Sequence, residues 1–207
     1  LSQQKALSHL WRVGPGDIFL SYLPWHHSFG GLFERFTALA SGATLCIDDS
    51  YGKDIPRLIQ NWREVRPTHF FSVPKVFQAL VTEARLDPET DLALFHPRLK
   101  FVFTAAAPLP AGCSDYFAKK GVPVLEGWGL TETSPCVTLT SPDMDRVPAV
   151  VGKPIPGVEV LVTDDREILV RGPNVMKAYF KDPERTAQSL DEYGWFHTGD
   201  MGEITPL

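Results

Sequence analysis

Between residues 17 and 125 the chain alternates five short apolar runs with four stretches of helical periodicity, and nothing else in it restricts the fold as strongly. Residues 17–23 read as a strand stopped by Pro24, and residues 43–47, 68–73, 99–104 and 122–125 read as four more. Between them, residues 29–39 bring Phe29, Leu32, Phe33, Phe36 and Leu39 to helical spacing, and residues 55–65 form a helix entered through Pro56. Residues 74–84 carry Val76, Phe77, Leu80 and Val81 on one side, and residues 109–120 supply a fourth helix. A strand, a helix of about ten residues and a second strand return the chain in its original direction through a right-handed crossover. The expected fold class is α/β, a mostly parallel sheet with flanking helices. After residue 141 Pro and Gly become frequent, and residues 158–163 and 167–171 read as strands joined by a tight turn at Asp164, Asp165 and Arg166. The chain is therefore expected to divide into an α/β subdomain over residues 1–145 and a β-rich subdomain over residues 146–207, the latter part of a small antiparallel, barrel-like unit.

Open α/β sheets bind ligands at the carboxyl ends of their strands, so the loops after strands carry the chemical information. Glu126-Gly-Trp-Gly-Leu-Thr-Glu-Thr-Ser-Pro135 follows the last apolar run, which Gly127 and Gly129 are expected to end. Glycine lets backbone approach a ligand closely, Thr131 and Thr133 offer donors for phosphate oxygens, and Glu132 can hold a hard cation. A polar turn whose threonines bond their own backbone is the plain alternative. Leu23-Pro-Trp-His-His-Ser-Phe-Gly-Gly31 joins a strand to a helix, where an imidazole and aromatic rings could line a pocket for a flat or acyl substrate. The two adjacent histidines point apart and have no evident third ligand, which argues against a zinc site. Thr104-Ala-Ala-Ala-Pro-Leu-Pro110 either leaves backbone open to a planar base or packs tightly beneath a helix. Gly194-Trp-Phe-His-Thr-Gly-Asp200 ends on a carboxylate that can accept from both hydroxyls of a ribose, or bond its own turn. The turn-rich stretch from Arg171 to Phe180 precedes a short helix opened by Pro183 and Glu184, and Arg171 and Lys177 suit structural or solvated roles.

In this order the motifs resemble the adenylate-forming superfamily of acyl-CoA synthetases, firefly-type luciferases and peptide-synthetase adenylation domains. Gly127-Trp-Gly-Leu-Thr-Glu-Thr133 is similar to the family signature, with Trp128 where tyrosine is usual. The resemblance implies that Thr131 contacts the phosphate of an acyl-adenylate, that Glu132 holds Mg²⁺, and that Gly127, Trp128 and Gly129 border the adenine and acyl pockets. It places Ala105, Ala106, Ala107 and Pro108 along adenine, His27 at the acyl site, and Asp200 on the ribose. Thr131, Glu132 and His27 would then be the catalytic residues. Ala106 and Ala178 stand where glycine is common, and Phe33-Glu-Arg-Phe36 is similar to long-chain members.

The activity so implied is ATP-dependent and AMP-forming: a carboxylic acid, expected to be a fatty acid, is activated as acyl-AMP and passed to CoA. ATP/AMP, Mg²⁺ and CoA are the expected cofactors. Rival readings are an aryl-CoA ligase, an amino-acid adenylation domain, and, from another class, a non-catalytic nucleotide- or acyl-binding domain. An amino-acid activator would want an aspartate for the α-amine, and Phe70-Phe-Ser-Val73 offers none nearby; an α/β-hydrolase needs a Gly-X-Ser-X-Gly elbow, which is absent. The family's phosphate loop ending in Pro-Lys-Gly and its lysine-bearing C-terminal domain have no counterpart in these residues. The chain is therefore expected to be a central fragment of the large N-terminal domain, inactive by itself.

A net charge of −5 disfavours nucleic acid and anionic membrane surfaces as partners. Three cysteines, Cys46, Cys113 and Cys136, show no metal-like spacing and suit the reducing cytoplasm. No signal peptide and no apolar run near the ~18 residues of a membrane span is present, so no transmembrane segment is expected. The expected partners are small molecules, and the oligomeric state is left open.

Overall fold

A computed structural model of the protein describes residues 2–105, 107–144, 146–147 and 149–205, without the side chains of Ser8 and His9. The five apolar runs form β1 (Ile18–Ser21), β2 (Thr44–Ile47), β3 (His69–Ser72), β4 (Phe101–Thr104) and β5 (Val124–Trp128). These strands lie parallel in the order β2-β1-β3-β4-β5, so the order reverses beside β1 and opens a crevice of the kind that holds ligands. Two short strands, β6 (Thr138–Leu139) and β7 (Lys153–Pro154), continue the sheet antiparallel from β5.

Both faces of the central strands β1, β3 and β4 are buried, as crossover helices require, whereas the edge strand β2 is half-exposed. On one face α1 (Ser2–Trp11), a π-helix (Phe29–Arg35) and α2 (Phe36–Ala40) cover Phe19, Phe71, Phe103 and Leu125. On the other, α3 (Ile55–Val65), α4 (Pro74–Leu86), α5 (Pro88–Leu94) and α6 (Ala111–Lys119) cover Leu20, Phe70, Val102 and Val124. The change of face at successive residues is the period-two pleat of a strand. A second, three-stranded antiparallel sheet follows, ordered β10-β9-β8, from β8 (Glu159–Val162), β9 (Glu167–Arg171) and β10 (Phe196–Met201). A short α7 (Pro183–Ser189) lies between β9 and β10. No helix among the described residues is long and apolar enough to cross a membrane.

Three local expectations change. Gly127 does not end β5: Gly127 pairs with Leu139 and Trp128 with Thr138, so a distant partner carries the strand past the glycine. The helix expected over residues 29–39 begins as a π-helix. There the chain turns so tightly that a Cβ on Gly31 would overlap the Trp25 carbonyl oxygen, and the wider π turn accommodates this approach. Helices α1 and α5 are additional. Asp87 caps α5 by accepting from the backbone N–H groups of Glu89 and Thr90, with Pro88 in the first helical position.

Candidate active site

The loops following β1, β4 and β5 converge on a cavity of about 690 Å³. His27, Ala105, Ala107, Pro108, Gly127, Trp128, Gly129, Thr131, Glu132 and Asp200 all line it, and Ala106 lies outside the described residues. Phe29, Phe33 and Phe103 form an apolar wall, with Phe33 and Phe103 rings 5.1 Å apart. Of the two adjacent histidines only His27 faces the cavity. Its Nδ1 accepts from the backbone N–H of Phe29 at 3.2 Å, which leaves Nε2 as the donor of the neutral ring.

The turn after β5 is held by its own backbone and by two buried amides. The backbone N–H of Val137 donates to the Trp128 carbonyl at 2.9 Å, folding residues 129–136 back on the strand. A Cβ on Gly129 would collide with the Pro135 carbonyl oxygen, so this return is open to glycine alone. The Thr131 hydroxyl has no protein partner among the described residues and faces the cavity. Of the two readings open to Thr133, the structure takes the polar turn. Thr133 is buried, its hydroxyl accepts from Leu130 N–H at 2.9 Å and bonds the Pro135 carbonyl at 2.7 Å, and it is thereby committed to the turn. Asn174 Nδ2 donates to the carbonyls of Thr133 (3.1 Å) and Cys136 (2.9 Å), and Gln3 Nε2 donates to the same two carbonyls from α1 at 3.2 Å each. Neither amide was singled out from the sequence. Asn174 sits in a Gly-Pro-Asn turn that signals a bend but not its target, and Gln3 carries no local signal.

Glu132 and Asp200 are approached by aromatic donors. Tyr179 Oη donates to Glu132 Oε1 at 2.9 Å, and Met176 N–H donates to the Glu132 carbonyl at 2.7 Å. Desolvation, then the Glu132 carboxylate, raises the pKa of the Tyr179 hydroxyl. Asp200 lies in β10, where the register against β9 shifts between His197 and Met201 and Gly199 takes a φ of 72°. Such bulges re-aim side chains, and here the irregular stretch brings the Asp200 carboxylate to the cavity, where Trp128 Nε1–H donates to its Oδ2 at 2.9 Å. Buried Glu126, also on the cavity, is paired by Arg146 at 3.0 Å, and Arg146 donates in turn to Ser114 Oγ at 3.0 Å.

Among the described residues, no three His, Cys, Asp or Glu side chains are grouped to hold a metal ion by themselves. Glu132, a single carboxylate beside a free hydroxyl, fits Mg²⁺, which retains waters and leans on substrate phosphates rather than on an all-protein cage. Gly129→Ala is expected to force the return at Pro135 apart. A loss of about 1–3 kcal/mol should appear as a lowered urea midpoint, and an unchanged midpoint would show that the turn can relax around the methyl group.

The family model for AMP-binding enzymes matches residues 1–180. The peroxisomal long chain acyl-CoA synthetase 7 of Arabidopsis thaliana is 30% identical over 244 residues, covering 93% of this chain and 34% of the relative. The 3-[(3aS,4S,7aS)-7a-methyl-1,5-dioxo-octahydro-1H-inden-4-yl]propanoyl:CoA ligase of Rhodococcus jostii is 33% identical over 196 residues, covering 93% and 36%. The crystal structure of apo MatB from Rhodopseudomonas palustris matches with a TM-score of 0.85 at 31% identity, over 98% of this chain and 41% of MatB. The chain thus spans about a third of the length of these curated relatives.

Proposed function

The chain belongs to the AMP-binding enzyme family, and from that premise we propose that it forms the acyl-adenylate-binding wall of an ATP-dependent, AMP-forming acid–thiol ligase. The supporting observation is the convergence, in one cavity, of a free hydroxyl, two partly occupied carboxylates, a backbone-rich loop and an apolar aromatic wall. In the proposed reaction the acid's carboxylate attacks the α-phosphorus of ATP, pyrophosphate departs, and the thiol of CoA then displaces AMP from the acyl-AMP. Thr131 donates to the α-phosphate oxygens as negative charge gathers there. Glu132, restrained by Tyr179, would hold Mg²⁺, which when bound supplies positive charge against the phosphates. Ala105, Ala107 and Pro108 lie along the adenine, and Asp200 accepts from the ribose hydroxyls. His27 offers its Nε2–H to the acid's carboxylate, whose tail runs along Phe29, Phe33 and Phe103.

That wall is apolar and aromatic, which supports a fatty acid over a polar or amino acid. The long-chain name of the Arabidopsis relative points the same way, whereas the Rhodococcus relative is named for a bicyclic acid. We also propose the division at residues 145/146 into two subdomains. A cytoplasmic setting suits the free thiols Cys46, Cys113 and Cys136.

Acid-dependent ATP–pyrophosphate exchange on the full-length protein, across fatty and aromatic acids, tests this function. Fatty acids should support exchange best, and Thr131→Ala should slow it by a factor on the order of 10²–10³. If no carboxylic acid supports exchange, the ligase reading is wrong.

A further inference from the structure

Trp128 and Asp200 belong to different sheets, β5 and β10, yet the indole N–H of one meets the carboxylate of the other at 2.9 Å. Among the described residues no other side chain bonds that carboxylate, and no Lys, Arg or His pairs with it. One donor therefore sets its direction, and Oδ1 has no protein partner. The backbone beneath Asp200 is irregular, with a shifted register and a left-handed Gly199, so a regular ladder does not fix the side chain either. Hydrogen bonds to an ionised acceptor are short and strong, and a single well-aimed one suffices to select a rotamer. Trp128 is itself anchored by strand pairing with Thr138 and packs against the core.

We propose that Trp128 is a positioning residue for ribose recognition. Its Nε1–H holds Asp200 so that the unpartnered oxygen meets the vicinal hydroxyls of the nucleotide. This rests on the reading above in which Asp200 is the ribose-binding carboxylate. The indole is suited to the task because its donor sits on the side of the ring. Phenylalanine offers no donor, and tyrosine carries its hydroxyl at the far tip.

The test is calorimetric binding of AMP and 2′-deoxy-AMP to the full-length protein. The unsubstituted protein should favour AMP by about tenfold or more, the scale of a hydrogen bond to a charged group. Trp128→Phe should bring that ratio to within about threefold of unity, whatever the lost indole surface does to both affinities, because only the ribose-directed bond distinguishes the two nucleotides. In an Asp200→Asn background, Trp128→Phe should alter the ratio no further. A benzothienylalanine at position 128, which keeps the ring and removes only the N–H, separates positioning from folding if Trp128→Phe proves unstable. Either Trp128 replacement retaining the full preference for AMP overturns the tether. An unsubstituted protein without that preference overturns the assignment of Asp200 to the ribose, a different result.

Discussion

Raising the pH from about 4.5 to 8 is expected to remove roughly 4 kcal/mol of stability through Glu34 alone, and Glu34→Gln should abolish that loss. Glu34 is fully buried on the π-helix, where its Oε2 accepts from Ser21 Oγ at 2.6 Å and its Oε1 has no partner. Arg35, the next residue, lies 4.9 Å over the rings of Trp25 and Phe36 and makes no ion pair with it. Burial without a counter-charge favours the neutral acid, and the carboxyl is pushed up to about 8, the Ser21 bond opposing weakly. Between the ordinary glutamate value and 8 the folded chain keeps a proton that the unfolded chain has released. Stability from this group is complete below about 4.5, falls as pH rises, and levels off above 8. His69 acts in the opposite direction, since burial pulls it down to about 4 and stability is lost as pH falls below 6.5. Subtracting the urea-unfolding profile of Glu34→Gln from that of the unsubstituted protein, over pH 5–9, cancels His69 and isolates Glu34. The variant should be the more stable by several kcal/mol at pH 8 and close to parity at pH 5. Parallel profiles would mean that water reaches the carboxyl and that it ionises normally.

The order of strands and helices was legible because each is written in a local period. Phe70, Phe71, Val102 and Phe103 announce strands buried on both faces, and Leu58, Ile59 and Trp62 announce one side of a helix. What escaped depends on distant partners or on signals shorter than a full period. Nothing near Gly127 shows that it pairs with Leu139, and β6 and β7 are two residues each. The start of α5 was written in Asp87-Pro-Glu-Thr90, a capping pattern strong enough to have been read. Around the cavity, the loops were visible as motifs because backbone access and donor chemistry demand particular residues at fixed spacing. Their supports were not: Gln3, Tyr179 and Asn174 lie 130, 47 and 41 residues from the groups they hold. Thr133 carries both readings in the sequence, because a threonine in a polar loop looks the same whether its hydroxyl faces a phosphate or closes its own turn.

Helix α1 has the largest consequence among the elements the sequence hid, because Trp11 at its end is the hub beneath the cavity. The Trp11 ring lies 5.2–5.6 Å from those of Phe33, Phe71, Phe101 and Phe103, and its Nε1–H donates to the Thr140 carbonyl at 3.3 Å. Thr140 in turn bonds Glu126 on the cavity through its own N–H at 2.9 Å and through a hydroxyl that accepts from Glu126 N–H at 2.8 Å. Trp11→Ala should therefore cost about 3–5 kcal/mol, the usual range for emptying a large aromatic from a packed core. Trp11→Phe keeps ring contacts and loses the Thr140 bond, leaving a buried carbonyl without that donor, so about 1–2 kcal/mol is expected. Urea unfolding gives both values. Because Phe33 and Phe103 also line the apolar wall, the proposed ligase function predicts that the Michaelis constant for the acid rises in Trp11→Ala more than that for ATP. If Trp11→Ala costs less than about 1 kcal/mol, α1 is a loosely docked accessory and the aromatic wall stands without it. If stability falls but both Michaelis constants move together, Trp11 supports the fold as a whole and not the apolar wall of the cavity.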